Sequence, residues 1–174
     1  MGYVVPACRC LFGVVFLVAP FGKVRGRTAF IEFVAAVGDM VPRATRFARP
    51  LAIAVVVGET AVSLAMLSGR TAVFGFALAI VMLGAFVIAI ALRIRRGAPS
   101  RCRCFGSSDV PLGLRHIVRN AALIAVALAG LGGATVRPEI SLAPAGTLLS
   151  VATGLVFATL FIRFEDLVDV FSTS

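Results

Sequence analysis

The sequence holds no tryptophan, one tyrosine, one histidine and only 8 acidic residues. Charged residues of both signs make up 14% of the chain, against about 25% in a soluble domain. That shortage excludes a water-soluble globule and a solvated disordered chain. Four cysteines in 174 residues are too few for a disulfide-stapled secreted module. The scarcity of Trp and Tyr also bears on the net charge of +9. A basic chain invites a search for nucleic acid, but this one has little with which to stack bases. No nucleic-acid partner is expected.

Apolar residues are in excess instead, at 60% of the chain with a mean hydropathy of +1.04. A helix needs about 20 apolar residues to cross the roughly 30 Å hydrocarbon core. Five stretches meet or approach that length: residues 3–21, 50–67, 73–92, 117–136 and a shorter, small-residue-rich 145–162. Pro42, Pro50, Pro111, Pro138 and Pro144 stand at the junctions, where helices start or break. The first stretch lacks a basic start and a small-x-small cleavage site, so it is expected to remain as a span. The fold expected is all-α: a polytopic membrane bundle of four core helices plus a fifth, one integral domain over residues 1–174. Its first partner is the lipid bilayer.

Orientation follows from the basic residues. Lys23, Arg25, Arg27, Arg43, Arg46 and Arg49 occupy the first connection, and Arg93, Arg95, Arg96, Arg101, Arg103, Arg115 and Arg119 the third. These are thirteen of the 17 Lys and Arg residues. The expectation is a cell-membrane protein with both basic loops cytoplasmic, the N-terminus outside, and Glu165, Asp166 and Asp169 inside. Within the first loop, Phe30, Phe33, Val34 and Val37 recur at i, i+3, i+4 and i+7. That face belongs to a helix lying on the bilayer surface or packed on the bundle itself.

The chemistry-bearing residues are few. Arg101-Cys102-Arg103-Cys104-Phe105-Gly106 lies in a polar connection just before the fourth span. Flanking arginines and a following helix N-terminus favour the thiolate. One intervening residue makes any disulfide between Cys102 and Cys104 a small strained ring, and strained disulfides are labile. Thiol–disulfide exchange is the leading reading of this redox pair. A metal site would have to combine the pair with His116, giving three donors where zinc takes four. No metal and no other cofactor is expected. Cys8 and Cys10, inside the first span, read as buried small hydrophobes.

Ionisable residues within a membrane are functional candidates. Glu59 falls at the middle of the second span and Arg9 within the first. A lone carboxylate there should be protonated or paired, and Arg9 is the basic residue at a compatible depth, so an Arg9–Glu59 pair is expected. Its role is either to fix helix register or to relay protons. Lys23 and Arg119, near the span ends, are expected to snorkel to the headgroups, and Asn120 to bond between helices.

Taken together, the Phe21-Gly22-Lys23-Val24-Arg25-Gly26-Arg27 turn, the Phe-rich segment 29–37, Pro42, the central Glu59, Cys102-x-Cys104-Phe105-Gly106 and Arg119-Asn120 resemble the MauE family. These are methylamine utilisation membrane proteins grouped with DoxX-like proteins, and the resemblance covers about residues 3–136. It implies a small helical membrane protein tied to redox processing. In that family the link is to maturation of the disulfide-rich small subunit of methylamine dehydrogenase, beside a thioredoxin-like partner. The motif residues carried over are Lys23, Glu59, Cys102, Cys104, Phe105, Gly106, Arg119 and Asn120. The resemblance leaves the substrate protein open. With Cys102 and Cys104 inside and the client exported, two routes stay open: a cytoplasmic electron donor, or a loop folded back into the bundle. The competing class is a non-catalytic membrane partner or small transporter with incidental cysteines.

Overall fold

In the computed structural model, residues 3–40, 42–95, 114–136 and 144–163 are described. They form six α-helices and one 3-10 turn: α1 (Val4–Val24), α2 (Arg27–Met40), the turn Pro42–Phe47, α3 (Ala48–Met66), α4 (Gly69–Arg95), α5 (Leu114–Val136) and α6 (Pro144–Ile162). All except α2 and the turn are long and apolar enough to cross a membrane, and no strand occurs among the described residues. The all-α polytopic bundle expected from composition is what the chain forms. The spans extend the predicted ones by a few residues, most at α4, whose 27 residues make a rod of about 40 Å. The extra turns end in Arg93 and Arg95, whose long stems let a helix overrun the apolar slab.

Four helices, α1, α3, α4 and α5, close a ring in which each touches its neighbours, and α6 flanks α1 from outside it. Phe12 of α1 and Phe76 of α4 fill the centre, their rings edge to face at 5.8 Å. Elsewhere contacts are made through small residues, because association in lipid depends on close packing rather than on a hydrophobic drive. The clearest case is α6. Pro144 supplies its first helical residue with a preset φ, and Ser150, Gly154 and Ala158 form its buried stripe. A Cβ on Gly154 would lie 2.5 Å from the Ala7 carbonyl oxygen, so only glycine lets α6 come this near to α1. The short, small-residue-rich fifth stretch is thereby a packed member of the bundle.

The Phe-rich segment of the first connection is α2. Phe33 and Val37 are buried in a small cluster with Ala48 and Ala52 of α3, while Ile31 points away. Of the two readings left open by its periodicity, packing against its own bundle is the one observed.

Candidate functional site

The register of α1 against α3 is marked by Ser63, whose Oγ donates to the Gly13 carbonyl at 2.9 Å. From that point the antiparallel helices run apart in opposite directions. Arg9 lies one turn toward the start of α1, and Glu59 lies one turn the other way on α3. At 1.5 Å per residue the two are about 12 Å apart along the axis. The expected Arg9–Glu59 pair is therefore not formed. Arg9 instead donates through Nε to the Met66 carbonyl at 3.0 Å and through Nη2 to that of Leu67 at 2.9 Å. Those carbonyls belong to the end of α3, where backbone acceptors lack helical partners and the helix dipole favours a cation.

Glu59 pairs with Lys23. The Lys23 backbone sits about 9 Å further along the axis than Glu59 on the same count. Side chains on a helix lean toward its N-terminus, so the long Lys23 stem runs back into the bundle and its Nζ donates to Glu59 Oε1. Phe33 of α2 covers the ammonium from the other side, its ring centroid 5.0 Å from Nζ, a cation–π contact. Lys23 is 2% exposed, Glu59 3% and Arg119 5%. The snorkelling expected of Lys23 and Arg119 is thus overturned: both turn inward, because a buried carboxylate, an aromatic face and a polar cavity offer partners that the headgroups would otherwise provide.

That cavity has a volume of about 60 Å³. It is lined by Lys23, Glu59, His116, Arg119 and Asn120, with Val15, Phe16, Ala19, Met40, Leu83, Phe86, Ile90 and Leu123 as its apolar walls. The residues come from the second half of α1, the end of α2, the middle of α3, the second half of α4 and the start of α5, so the cavity runs from the middle of the bundle toward the end at which α4 finishes and α5 begins. Glu59 Oε2 is buried and meets no hydrogen-bond donor among the described residues. Just outside, Arg93 bonds the Asp39 carbonyl and lies 3.7 Å from its carboxylate, tying α4 to the end of α2.

The cavity thus unites Lys23, Glu59, Arg119 and Asn120, which the sequence singled out separately, and adds His116, read there only as a third metal donor. Among the described residues no cluster of three or more His, Cys, Asp or Glu could hold a metal. Cys102, Cys104, Phe105 and Gly106 lie outside the described residues. So do the tail acidic residues Glu165, Asp166 and Asp169. Cys8 and Cys10 are free thiols on opposite sides of α1. Cys8 is buried, its Sγ 3.8 Å from the Val126 carbonyl of α5, and Cys10 lies against Gly154 of α6. Two residues apart on a helix they face away from each other, which suits packing. No signal in the sequence pointed to the Lys23–Glu59 pair, because the offset between the two residues follows from the slide of α1 on α3 seen at Ser63 and Gly13. Once that slide is given, a long lysine stem spans about 9 Å along the axis.

Compared with known proteins, the chain matches the family model described as methylamine utilisation protein MauE over residues 1–133. No curated protein and no solved structure matches it. The matched region takes in every residue lining the cavity as well as Cys102 and Cys104, and ends within α5, before α6. With that match spanning most of a five-span apolar bundle, the chain belongs to the MauE family of methylamine utilisation-associated membrane proteins.

Proposed function

We propose that the protein is a membrane component of thiol–disulfide processing for exported proteins, with Cys102 and Cys104 as the exchanging pair and a thioredoxin-like protein as its partner. The observation that carries this reading is the Cys102-x-Cys104-Phe105-Gly106 motif in the connection between α4 and α5 of a MauE-family bundle. Exchange proceeds by thiolate attack on a disulfide sulfur through a mixed disulfide. One dithiol is oxidised as one disulfide is reduced, so no outside electron acceptor enters the step. The arginines at 101 and 103 raise the thiolate fraction. Supporting roles fall to Lys23, Phe105, Gly106, Arg119 and Asn120, with the whole chain as one membrane domain. By the charge of the connections, the α4–α5 loop is cytoplasmic and the N-terminus external.

Thiol trapping in cells tests the proposal. Cys102 and Cys104 are expected to interconvert between reduced and oxidised forms, and Cys104→Ser or Cys102→Ser to accumulate a mixed disulfide with a thioredoxin-fold protein. Uniformly reduced thiols, together with full client maturation in the double serine variant, would sink it and favour a non-catalytic membrane partner. Impermeant maleimide labelling of cysteines placed at positions 25–26 and 96–113 tests the orientation: modification from the outer face reverses it.

A further inference from the structure

The two oxygens of Glu59 stand in different surroundings. Oε1 accepts from Lys23, whereas Oε2 is buried, meets no donor among the described residues, and belongs to a residue that lines the cavity. A carboxylate oxygen withdrawn from water without a hydrogen bond is strongly disfavoured. Either water or a proton must meet it. The cavity, at about 60 Å³, is well below the roughly 150 Å³ that takes up a benzene ring, yet a single water needs only about 10–15 Å³. Its size therefore accommodates a few waters. Its polar lining supplies the two to four partners an ordered water requires, and it reaches from Glu59, inside the bundle, to Met40 and His116 at the helix ends.

The geometry points to a hydrated proton-exchange site inside the bundle, in which Glu59 takes a proton at Oε2 from a cavity water and returns it by the same path. Hydronium gives its proton to the carboxylate and leaves as water; the reverse step restores both. Lys23 keeps its bond to Oε1 throughout, so no helix contact has to break. The groups facing Glu59 across the cavity are Lys23 from α1 and His116, Arg119 and Asn120 from α5. The cavity residues from α2 and α4, Met40, Leu83, Phe86 and Ile90, bring no titratable group. Arg93 and Asp39, outside it, are engaged with each other. This site stands independently of the thiol chemistry proposed above, since neither Cys102 nor Cys104 enters the step.

Difference infrared spectroscopy of the full chain in lipid nanodiscs tests it, with pH varied over about 4 to 9, the range in which protein carboxyl and imidazole groups titrate. A protonated-carboxyl band is expected that rises and falls reversibly with pH, shifts on transfer to D2O, and disappears in Glu59→Gln. Glu59→Asp should move the band, and Lys23→Met should displace its midpoint by about one pH unit or more, the effect of removing an opposite charge in contact. Titrating carboxyl bands that are the same in the parent chain and in Glu59→Gln would all belong to other carboxyl groups and overturn the proposal. A Glu59 band that neither titrates nor responds to D2O shows a dry, fixed group and overturns it equally.

Discussion

Where α1 begins, the helices meet through backbone and small side chains; where it finishes, they close around charged side chains and a cavity. At the first end Gly154 lies against Ala7, Cys10 packs beside it, and Arg9 is spent on the carbonyls of Met66 and Leu67. At the second, Lys23 and Glu59 pair beneath Phe33, and His116, Arg119 and Asn120 line the space beyond them. Both ends hold a cation from α1, half-buried at Arg9 and buried at Lys23, yet among the described residues only the second leaves a buried carboxylate oxygen without a donor. Arg9 satisfies an obligation of the fold, namely the open end of a helix. The Lys23–Glu59 pair satisfies none, because apolar residues of similar volume in place of both would pack there at near-neutral cost. A charge that the architecture does not require is the better mark of function.

Several substitutions would break or sharpen that contrast. The largest effect is expected from splitting the Lys23–Glu59 pair: Lys23→Met or Glu59→Leu alone should cost about 3–5 kcal/mol, whereas the double variant should be near neutral. Thermal unfolding in detergent reads this, and a double-mutant cycle should show strong coupling for this pair but additive losses for Arg9 with Glu59. Additivity in the Lys23–Glu59 cycle would mean that the two ends do not differ as described. Next is Gly154→Leu, which forces α6 away from α1. Overpacking of this kind costs about 1–3 kcal/mol, and crosslinking yield between cysteines placed on α1 and α6 should fall with it. Capping by Arg9 ranks third. Its replacement by Met should lose about 1–2 kcal/mol, the upper range for a cation at a helix C-terminus, and speed hydrogen exchange around residues 66–68. Smallest is Ser63→Ala, at about 0.6 kcal/mol, the average for a side-chain hydrogen bond between membrane helices. A loss of several kcal/mol there would show that the Gly13 contact sets the register alone.

Span number, approximate bounds and fold class were legible in the sequence. Length and hydropathy decide them: a bilayer admits only helices and closed barrels, and runs of about 20 apolar residues suit the helix, which satisfies its backbone hydrogen bonds within the span. The amphipathic face of α2 could be read from the spacing of Phe33 and Val37, though its place on α3 could not. The residues of the cavity were also visible one at a time: Lys23, Glu59, Arg119 and Asn120 stood out as polar groups in or beside apolar runs. Their grouping was not visible. Depth counted from span midpoints matched Glu59 with Arg9, an error of two helical turns.

The sequence by itself determined that this chain carries five helices long and apolar enough to cross a membrane and that a carboxylate falls within one of them. Those outcomes depend only on local composition and the thickness of the bilayer. Tertiary structure alone decided which cation that carboxylate meets, because pairing depends on the relative slide of two helices, which the Ser63 bond to the Gly13 carbonyl marks here. It also decided that Lys23 turns inward beneath Phe33, and that α4 and α5 leave a small polar cavity at their junction. A void is a property of how several helices fail to fill the space between them, and no single stretch of sequence carries it.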